Sequence, residues 1–515
     1  MRKSAIFLLF VAFCLTILGL SAQGGIAVPP QTARPKTEAE GKQKPEDSKQ
    51  RPVAKSKVYL LHSDLLRKDA THPDAQIVTG NVRFRHDSVY MYCDSACYYD
   101  KVSSFEAFGN VKMVQGDTLF LYGDRLYYDG LTQIAEMRCN VRMENRTTTL
   151  LTDSLNYDRV YNLGYFFDGG TLMDEQNVLT SEWGEYSPQT KQSVFNYNVK
   201  LVNPQFTLTS DTLRYNTASK VADIVGPSDI WSDANHIYSE KGTYNTVTGK
   251  ADLYDRSVLT NQGKQLTGDT LFYDRNTGVG EVFSRMVMTD TINRNMLTGE
   301  YGYYNEQTDY AFATDSAVAI DYSQGDSLFL HADTLLMETF HQNTDSMFRE
   351  MRAFHKVRFY RTDVQGTADS LVFSTVDSCL TMYRDPIIWN KNQQLLGEVI
   401  KVYMNDSTID WSHIIGQALS VERVDSTIYN QVTGKEMKSY FTNGEMRKTE
   451  VIGSVRVVYY PMDSDSTLIG MNVSETSKLE IYLQDRKIER MVMSPKSNGV
   501  LYPMSQIPAG KDRLE

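Results

Sequence analysis

Hydrophobic and polar residues alternate along most of this chain with a period of two. The clearest runs are Gly80-Asn81-Val82-Arg83-Phe84 and Gly109-Asn110-Val111-Lys112-Met113, each followed by a polar turn and a second alternating run. Cys139-Asn140-Val141-Arg142-Met143, Asn198-Val199-Lys200-Leu201 and Gly453-Ser454-Val455-Arg456-Val457 keep the pattern. In each, the Val and the residue two later share one face while the basic residue between them points away, which predicts a half-buried strand. A second signature is Asp-x-Leu-x-Tyr, at Asp124, Leu126 and Tyr128, at Asp153, Leu155 and Tyr157, at Asp211, Leu213 and Tyr215, and at Asp269, Leu271 and Tyr273. The Asp shares the face of Leu and Tyr and cannot sit deep without a partner, so it is expected at a corner or rim where backbone amides reach its carboxylate. Turns follow at Asp129-Gly130, Ser187-Pro188, Asn245 to Gly249 and Asp274 to Gly278, where a late Gly suits a hairpin loop that needs positive φ.

These two strands recur as a unit. Tyr99, Tyr128, Tyr157, Tyr186, Tyr215, Tyr244 and Tyr273 follow one another at 29 positions, the mark of a repeat architecture whose units share one continuous core. Past Tyr273 the spacing loosens to Tyr304, Asp333-Thr334-Leu335 and Asp369-Ser370-Leu371, as expected of loop insertions. Tyr429 to Lys435 repeats Tyr244 to Lys250 almost residue for residue, so the repeat persists. The pattern predicts an elongated all-β body of roughly 29-residue hairpins, on the order of 100 Å long at ~4.8 Å per rung.

Both ends depart from the pattern. Arg2 and Lys3 precede an apolar run from Ala5 to Leu20 and small residues at Ser21 and Ala22, a secretory signal over 1–22, with an uncleaved anchor as the alternative. Residues 23–57, rich in Pro, Lys and Glu, are expected to form a disordered tether. Regular repeats should fill 58–325, degenerate repeats with longer loops 326–493, and a Pro-containing unpaired tail 494–515. Ten of the 53 Lys and Arg and four of the 64 Asp and Glu lie in residues 1–57, leaving the body 43 basic and 60 acidic groups, net −17. That charge opposes binding to a nucleic-acid backbone. Cys93, Cys97, Cys139 and Cys379 read as buried small hydrophobes, with Cys97 in the inward column of Leu126 and Leu155.

The pairing of Gly-Asn-Val-x-(Met/Phe) with a downstream Asp-x-Leu-x-Tyr-Asp resembles the OstA-like repeats of the lipopolysaccharide-transport family, as in LptA and the amino-terminal domain of LptD, in a long form of the Bacteroidetes type. The likeness is strongest from about Lys57 to Asn162 and continues afterwards as periodicity. It implies an antiparallel β-jelly-roll folded like a taco, located in the periplasm, whose apolar groove shelters lipid A acyl chains as a transport bridge or scaffold in outer-membrane biogenesis. On that reading the inward residues Val82, Phe84, Val111, Met113, Leu126, Tyr128, Val141, Met143, Leu155 and Tyr157 are candidates to line the groove, or else to fill the core. Implied partners are lipopolysaccharide or a related envelope lipid, and further jelly-roll transport components or a second copy added at the edge strands. The chain is longer than LptA and ends without an outer-membrane barrel pattern.

Catalytic chemistry finds no purchase in the sequence. The eight His are scattered, and no Walker loop, nucleophile elbow, His-Glu-x-x-His or dinucleotide fingerprint occurs. No catalytic residue, metal ligand or cofactor is expected. A structural or adhesive extracellular β-repeat protein, and a polysaccharide-cleaving β-helix using paired carboxylates, are the other readings. Asp-Ser and Asp-Thr pairs at Asp87, Asp153, Asp211, Asp269 and Asp369 also resemble the O-glycosylation acceptor of exported Bacteroidetes proteins.

Overall fold

The computed structural model describes residues 57–514 except 69–72, 233–234, 262, 293, 324–325, 342–343, 406–407, 444, 464–466 and 485–486. The expected signal and all of the tether but Lys57 lie outside the described residues. Two compact units share the chain. The first takes in the described residues up to 232 together with 238–247, and the second 235–237 and everything from 248 onward. Among the described residues there is no α-helix, and no helix is long and apolar enough to cross a membrane.

The chain is all-β, with every ladder among the described residues antiparallel, as the alternation predicts. In the first unit Gln76–His86, Val89–Tyr99, Ser104–Gln115, Leu119–Asp129, Ile134–Asn145 and Thr148–Asp158 pair in chain order. Each ladder slips midway, where two consecutive residues turn left-handed: Gly80 and Asn81 (φ 81° and 45°), Gly109 and Asn110 (73° and 46°), Cys139 and Asn140 (63° and 51°). Gly and Asn are the residues that tolerate this region most readily, which explains the Gly-Asn signature. The double turn is a corner that folds each strand into two halves. Tyr128 is nine residues along its strand from Leu119, about 30 Å if straight. Yet the Tyr128 hydroxyl lies 2.6 Å from His86 Nδ1, on the strand three ladders before Leu119 and at the same margin. The sheet is therefore folded over so that its two margins meet.

The signature Asp stands at this corner and is turned out to solvent, while the Leu and Tyr after it stay buried. Asp153 accepts from the Asn140 backbone N–H (3.4 Å) and Asp269 from the Arg285 guanidinium, whereas at Asp124, as at Asp64 and Asp94 in the earlier copies, the partner is the left-handed Asn side chain on the neighbouring strand. Asn81 Nδ2 donates to Asp64 (3.0 Å), Asn110 Nδ2 to Asp94 (2.8 Å) and Asn140 Nδ2 to Asp124 (2.6 Å). An amide side chain reaches across the bend where the ladder is broken, so the carboxylate caps the corner from outside.

The tyrosine column owes its spacing to packing across the ladders. Tyr128 faces Phe105 and Ala135, Tyr157 faces Ala135 and Gly164, Tyr186 faces Gly164 and Ser193, and Tyr215 faces Ser193 and Ala222. From Tyr128 on, rings alternate with small residues from strand to strand, so each ring has room to lie over the Ala, Gly or Ser beside it, whereas Tyr98, Phe105 and Tyr128 stand side by side at the start of the row. The first member needs correction. Tyr98, not Tyr99, is the buried residue in the Phe105–Tyr128 row, since the turn between Gln115 and Leu119 holds three residues where the turn between Asn145 and Thr148 holds two, and the extra position reverses the face of what precedes it. Cys97 shifts with it: Ala96 faces Ala107 in the Leu126 row, and Cys97 is only half-buried. Cys139, at a left-handed corner position, is exposed, whereas Cys93 and Cys379 are buried.

In the second unit long strands resume at Val279–Asp290, Asn295–Asn305, Tyr310–Asp321, Leu328–Phe340, Phe348–Arg361 and Val364–Ser374, with left-handed corners at Ser284-Arg285, Asp315-Ser316 and His355-Lys356. The expected tail from Ser494 is paired as far as Pro503, in the strand Lys487–Pro503 against Gly470–Gln484. Pro495 does not break the ladder because it falls in the irregularity between the Ser494 and Ser497 pairings, where no strand hydrogen bond is owed. The residues beyond fold back: Leu514 N–H donates to Gln431 Oε1 (2.9 Å), Gln431 Nε2 donates to the Asp512 carbonyl (2.7 Å), and Ile507 and Leu514 pack against Val458, Tyr460 and Met471.

Candidate functional site

The interior between the folded halves is the place where a ligand could be held, and the chain treats its margins differently along its length. In the first unit polar residues clasp one margin to the other. The Tyr128 hydroxyl meets His86, and Arg159 Nη1 adds a bond to His86 Nδ1 (3.1 Å). Gln115 Nε2 donates to Asn162 Oδ1 (2.8 Å), and Asn145 Nδ2 donates to the Tyr186 hydroxyl (3.2 Å). Tyr215 donates its hydroxyl to Asp174 Oδ2 (2.8 Å), and Lys220 Nζ donates to both Asp174 oxygens (2.9 and 2.8 Å). Asn177 Nδ2 reaches Tyr215 (2.9 Å) and Thr246 (3.0 Å).

Burial governs the chemistry of these groups. It pushes the Tyr128 and Tyr157 phenols up to about 12, against the opposing pull of Arg159. It raises Tyr215 further, with the Asp174 charge adding to the effect. Burial by itself lowers the Lys220 ammonium, but the hydrogen bonds it donates to Asp174 and Glu175 outweigh it and leave the group above its ordinary value. Such groups are suited to hold two margins together, not to donate or accept protons near neutral pH.

All ten sequence candidates lie inside this clasped stretch. Val82, Phe84, Val111, Met113, Leu126, Tyr128, Val141, Met143, Leu155 and Tyr157 are each at most 2% exposed. Phe84 stacks on Phe105 at 4.2 Å between centroids, and Phe105 sits 5.5 Å from Tyr128. The structure brings the ten together as one apolar interior.

In the second unit the interior opens. A cavity of about 340 Å³ lies between the halves, walled by Leu259, Leu266, Met288 and Leu297 from one and Val282 and Tyr304 from the other. A further space of about 80 Å³ shares Met288, Leu297 and Tyr304 and extends it toward Leu330 and Met351. Small inward residues, Gly280, Gly302, Ala311 and Ala319 with Ala313 beside them, border this volume, and Ala319 stands between Leu297 and Leu330 in a row that carries Met113, Leu121, Met143 and Leu150 in the first unit. Lys264, Asp290 and Glu306 stand at its polar border, and burial raises the Glu306 carboxyl above the usual range. Burial likewise pushes the Tyr304 phenol up to about 12. At the early end Tyr273 is clasped: Asn235 Nδ2 donates to its hydroxyl (2.9 Å), and Asn261 Nδ2 donates to Asn235 Oδ1. Sequence reasoning missed this cavity. Its signal was the run of small residues at alternate positions just past the point where the 29-residue register loosens.

Among the described residues no group of three or more His, Cys, Asp or Glu side chains could hold a metal ion. The site thus offers a part-open, mainly apolar volume with a few polar groups at its border, an arrangement fitted to holding an aliphatic ligand.

A family model described as OstA-like protein matches residues 55–211, 207–269 and 230–321. A comparison with curated proteins gave no match. Among solved structures, the chain is similar to LptH from Pseudomonas aeruginosa, described as the LptA-homologous periplasmic component of the lipopolysaccharide transport device. Identity is 13%, the match covers 27% of this chain and 95% of that one, and the TM-score is 0.21.

Proposed function

Because this chain belongs to the OstA-like protein family, whose model covers more than half of it, we propose that it serves lipopolysaccharide transport in the periplasm, as a bridge or scaffold that shelters acyl chains in its apolar interior. The single observation that carries the proposal is the cavity between the halves of the second unit, bounded by Leu259, Met288, Leu297 and Tyr304. Its volume falls in the range of small-molecule sites, and its walls offer an acyl chain a path out of water worth about 0.8 kcal/mol per methylene. The ten inward residues of the first unit belong to the same type of interior in its filled form. Transport by shelter needs no nucleophile, general base or cofactor, so the protein acts as a carrier and not as an enzyme. Its partners are lipopolysaccharide or a related envelope lipid. Further jelly-roll components or a second copy join at edge strands such as Lys487–Pro503, whose only ladder partner among the described residues is Gly470–Gln484.

Photo-crosslinking residues placed at Met288 and Leu297 in cells should trap lipopolysaccharide. Crosslinks confined to exposed Tyr127, or found nowhere, overturn the proposal, as does normal surface lipopolysaccharide after depletion of the protein.

A further inference from the structure

Resting on that reading, we propose that Tyr273, held by Asn235 and Asn261, is a chain-length stop that decides how long an acyl chain the cavity accepts. The lining of the cavity ends at Leu259, Asn261 and Tyr273. Tyr273 lies between Ala251 and Gly280 on the flanking strands. On the Gly280 side the ring is not wedged, since a methyl group built there would come no nearer than 3.9 Å to it. What fixes the ring is its hydroxyl, which accepts from Asn235, itself bonded to Asn261 across the same margin. A hydrocarbon tail pushing past the ring must separate these part-buried polar groups without replacing their bonds, which is unfavourable.

Behind the ring the next strand offers only Ala251, fully buried and far smaller than Tyr. Removing the ring therefore opens about one strand spacing, ~4.8 Å, the length of roughly four methylene groups. The six earlier tyrosines of the 29-residue column lie in the first unit and Tyr273 in the second, where it stands against open space. The following one, Tyr304, lies along the cavity wall and does not close its end.

The test is displacement of a fluorescent fatty acid from the purified protein by saturated fatty acids of increasing length. In the wild type affinity should rise about fourfold per added methylene and then level off where the tail meets Tyr273. In Tyr273→Ala the plateau should move to chains longer by roughly four carbons, and adding Ala251→Phe to that variant should move it back. Tyr273→Phe, which keeps the ring but loses the hydroxyl that accepts from Asn235, should move the plateau in the same direction by less than Tyr273→Ala does. Should Tyr273→Ala fail to fold, Leu259→Ala at the same end wall should lengthen the plateau in the same direction. A wild type that binds no fatty acid overturns the carrier reading and the stop together. A plateau that stays in place in Tyr273→Ala, or in Leu259→Ala where that variant stands in, while Gly302→Leu abolishes binding, overturns the stop alone.

Discussion

Lys220 and Asp174 show how much one residue contributes to closing the first unit. The Asp174 carboxylate has no exposed surface, and the Lys220 ammonium approaches it at 2.8 Å with 15% of its side chain exposed. Replacing Lys220 by Met leaves a buried charge with the Tyr215 hydroxyl and Thr148 as its partners. The expected cost is about 3–5 kcal/mol, read as a lower urea midpoint at unchanged slope. The buried phenols make a separate prediction about alkali. Tyr128, Tyr157 and Tyr304 titrate near 12 when folded and near 10 when unfolded. Their stabilising contribution is complete below pH 10 and is lost as pH rises from there through about 12, because only the unfolded chain gives up these protons in that window. A stepwise absorbance titration should show the three ionising above the exposed tyrosines, with unfolding following. Ionisation of all tyrosines in one step near pH 10 while the far-UV spectrum stays native would contradict it.

At the scale of strands, what matters is how side chains share the space between ladders. Gly123 has no room for a side chain, since a methyl group there would come within 2.7 Å of buried Met137. Gly280 borders open volume, with nothing nearer than 3.9 Å. Gly123→Ala should therefore destabilise by about 1–3 kcal/mol through overpacking. Gly280→Ala should stabilise by about 0.4–1 kcal/mol by restricting the unfolded chain. Paired thermal melts that move in the same direction for both would show the interior of the second unit to be filled like the first. Much of this level was legible in advance. The Gly-Asn-Val and Asp-x-Leu-x-Tyr runs located strands and corners, because period-two alternation and left-handed propensity act locally. Tyr99 and Cys97 were assigned to the wrong face because one extra residue in the turn between Gln115 and Leu119 reverses every side chain before it, and the tyrosine spacing alone does not mark that residue. The alternation of Tyr with Ala, Gly or Ser was present in the sequence too, but became legible only once strand pairing showed which residues lie side by side.

Over the whole molecule the expectation is that ligand protects one stretch and leaves another unchanged. A bound acyl chain at about 100 times its dissociation constant should stabilise the unit that holds it by about 2.7 kcal/mol. Hydrogen exchange should slow across the strands from Val258 to Arg361 that wall the cavity and remain the same from Gln76 to Asp158. Equal protection in both stretches would show that the clasps of the first unit open to admit ligand. The sequence by itself determined the all-β class, the hairpin repeat, the corner chemistry and the apolar face, because each depends on neighbours along the chain and on the fixed period of a strand. Whether that apolar face encloses packed side chains or empty space was decided by the tertiary structure alone. The margins are closed by contacts between residues about 40 positions apart, such as His86 with Tyr128 and Asp174 with Tyr215. Cavity volume is the difference between the space two folded halves enclose and the side chains they carry, a quantity that exists only after the halves have met.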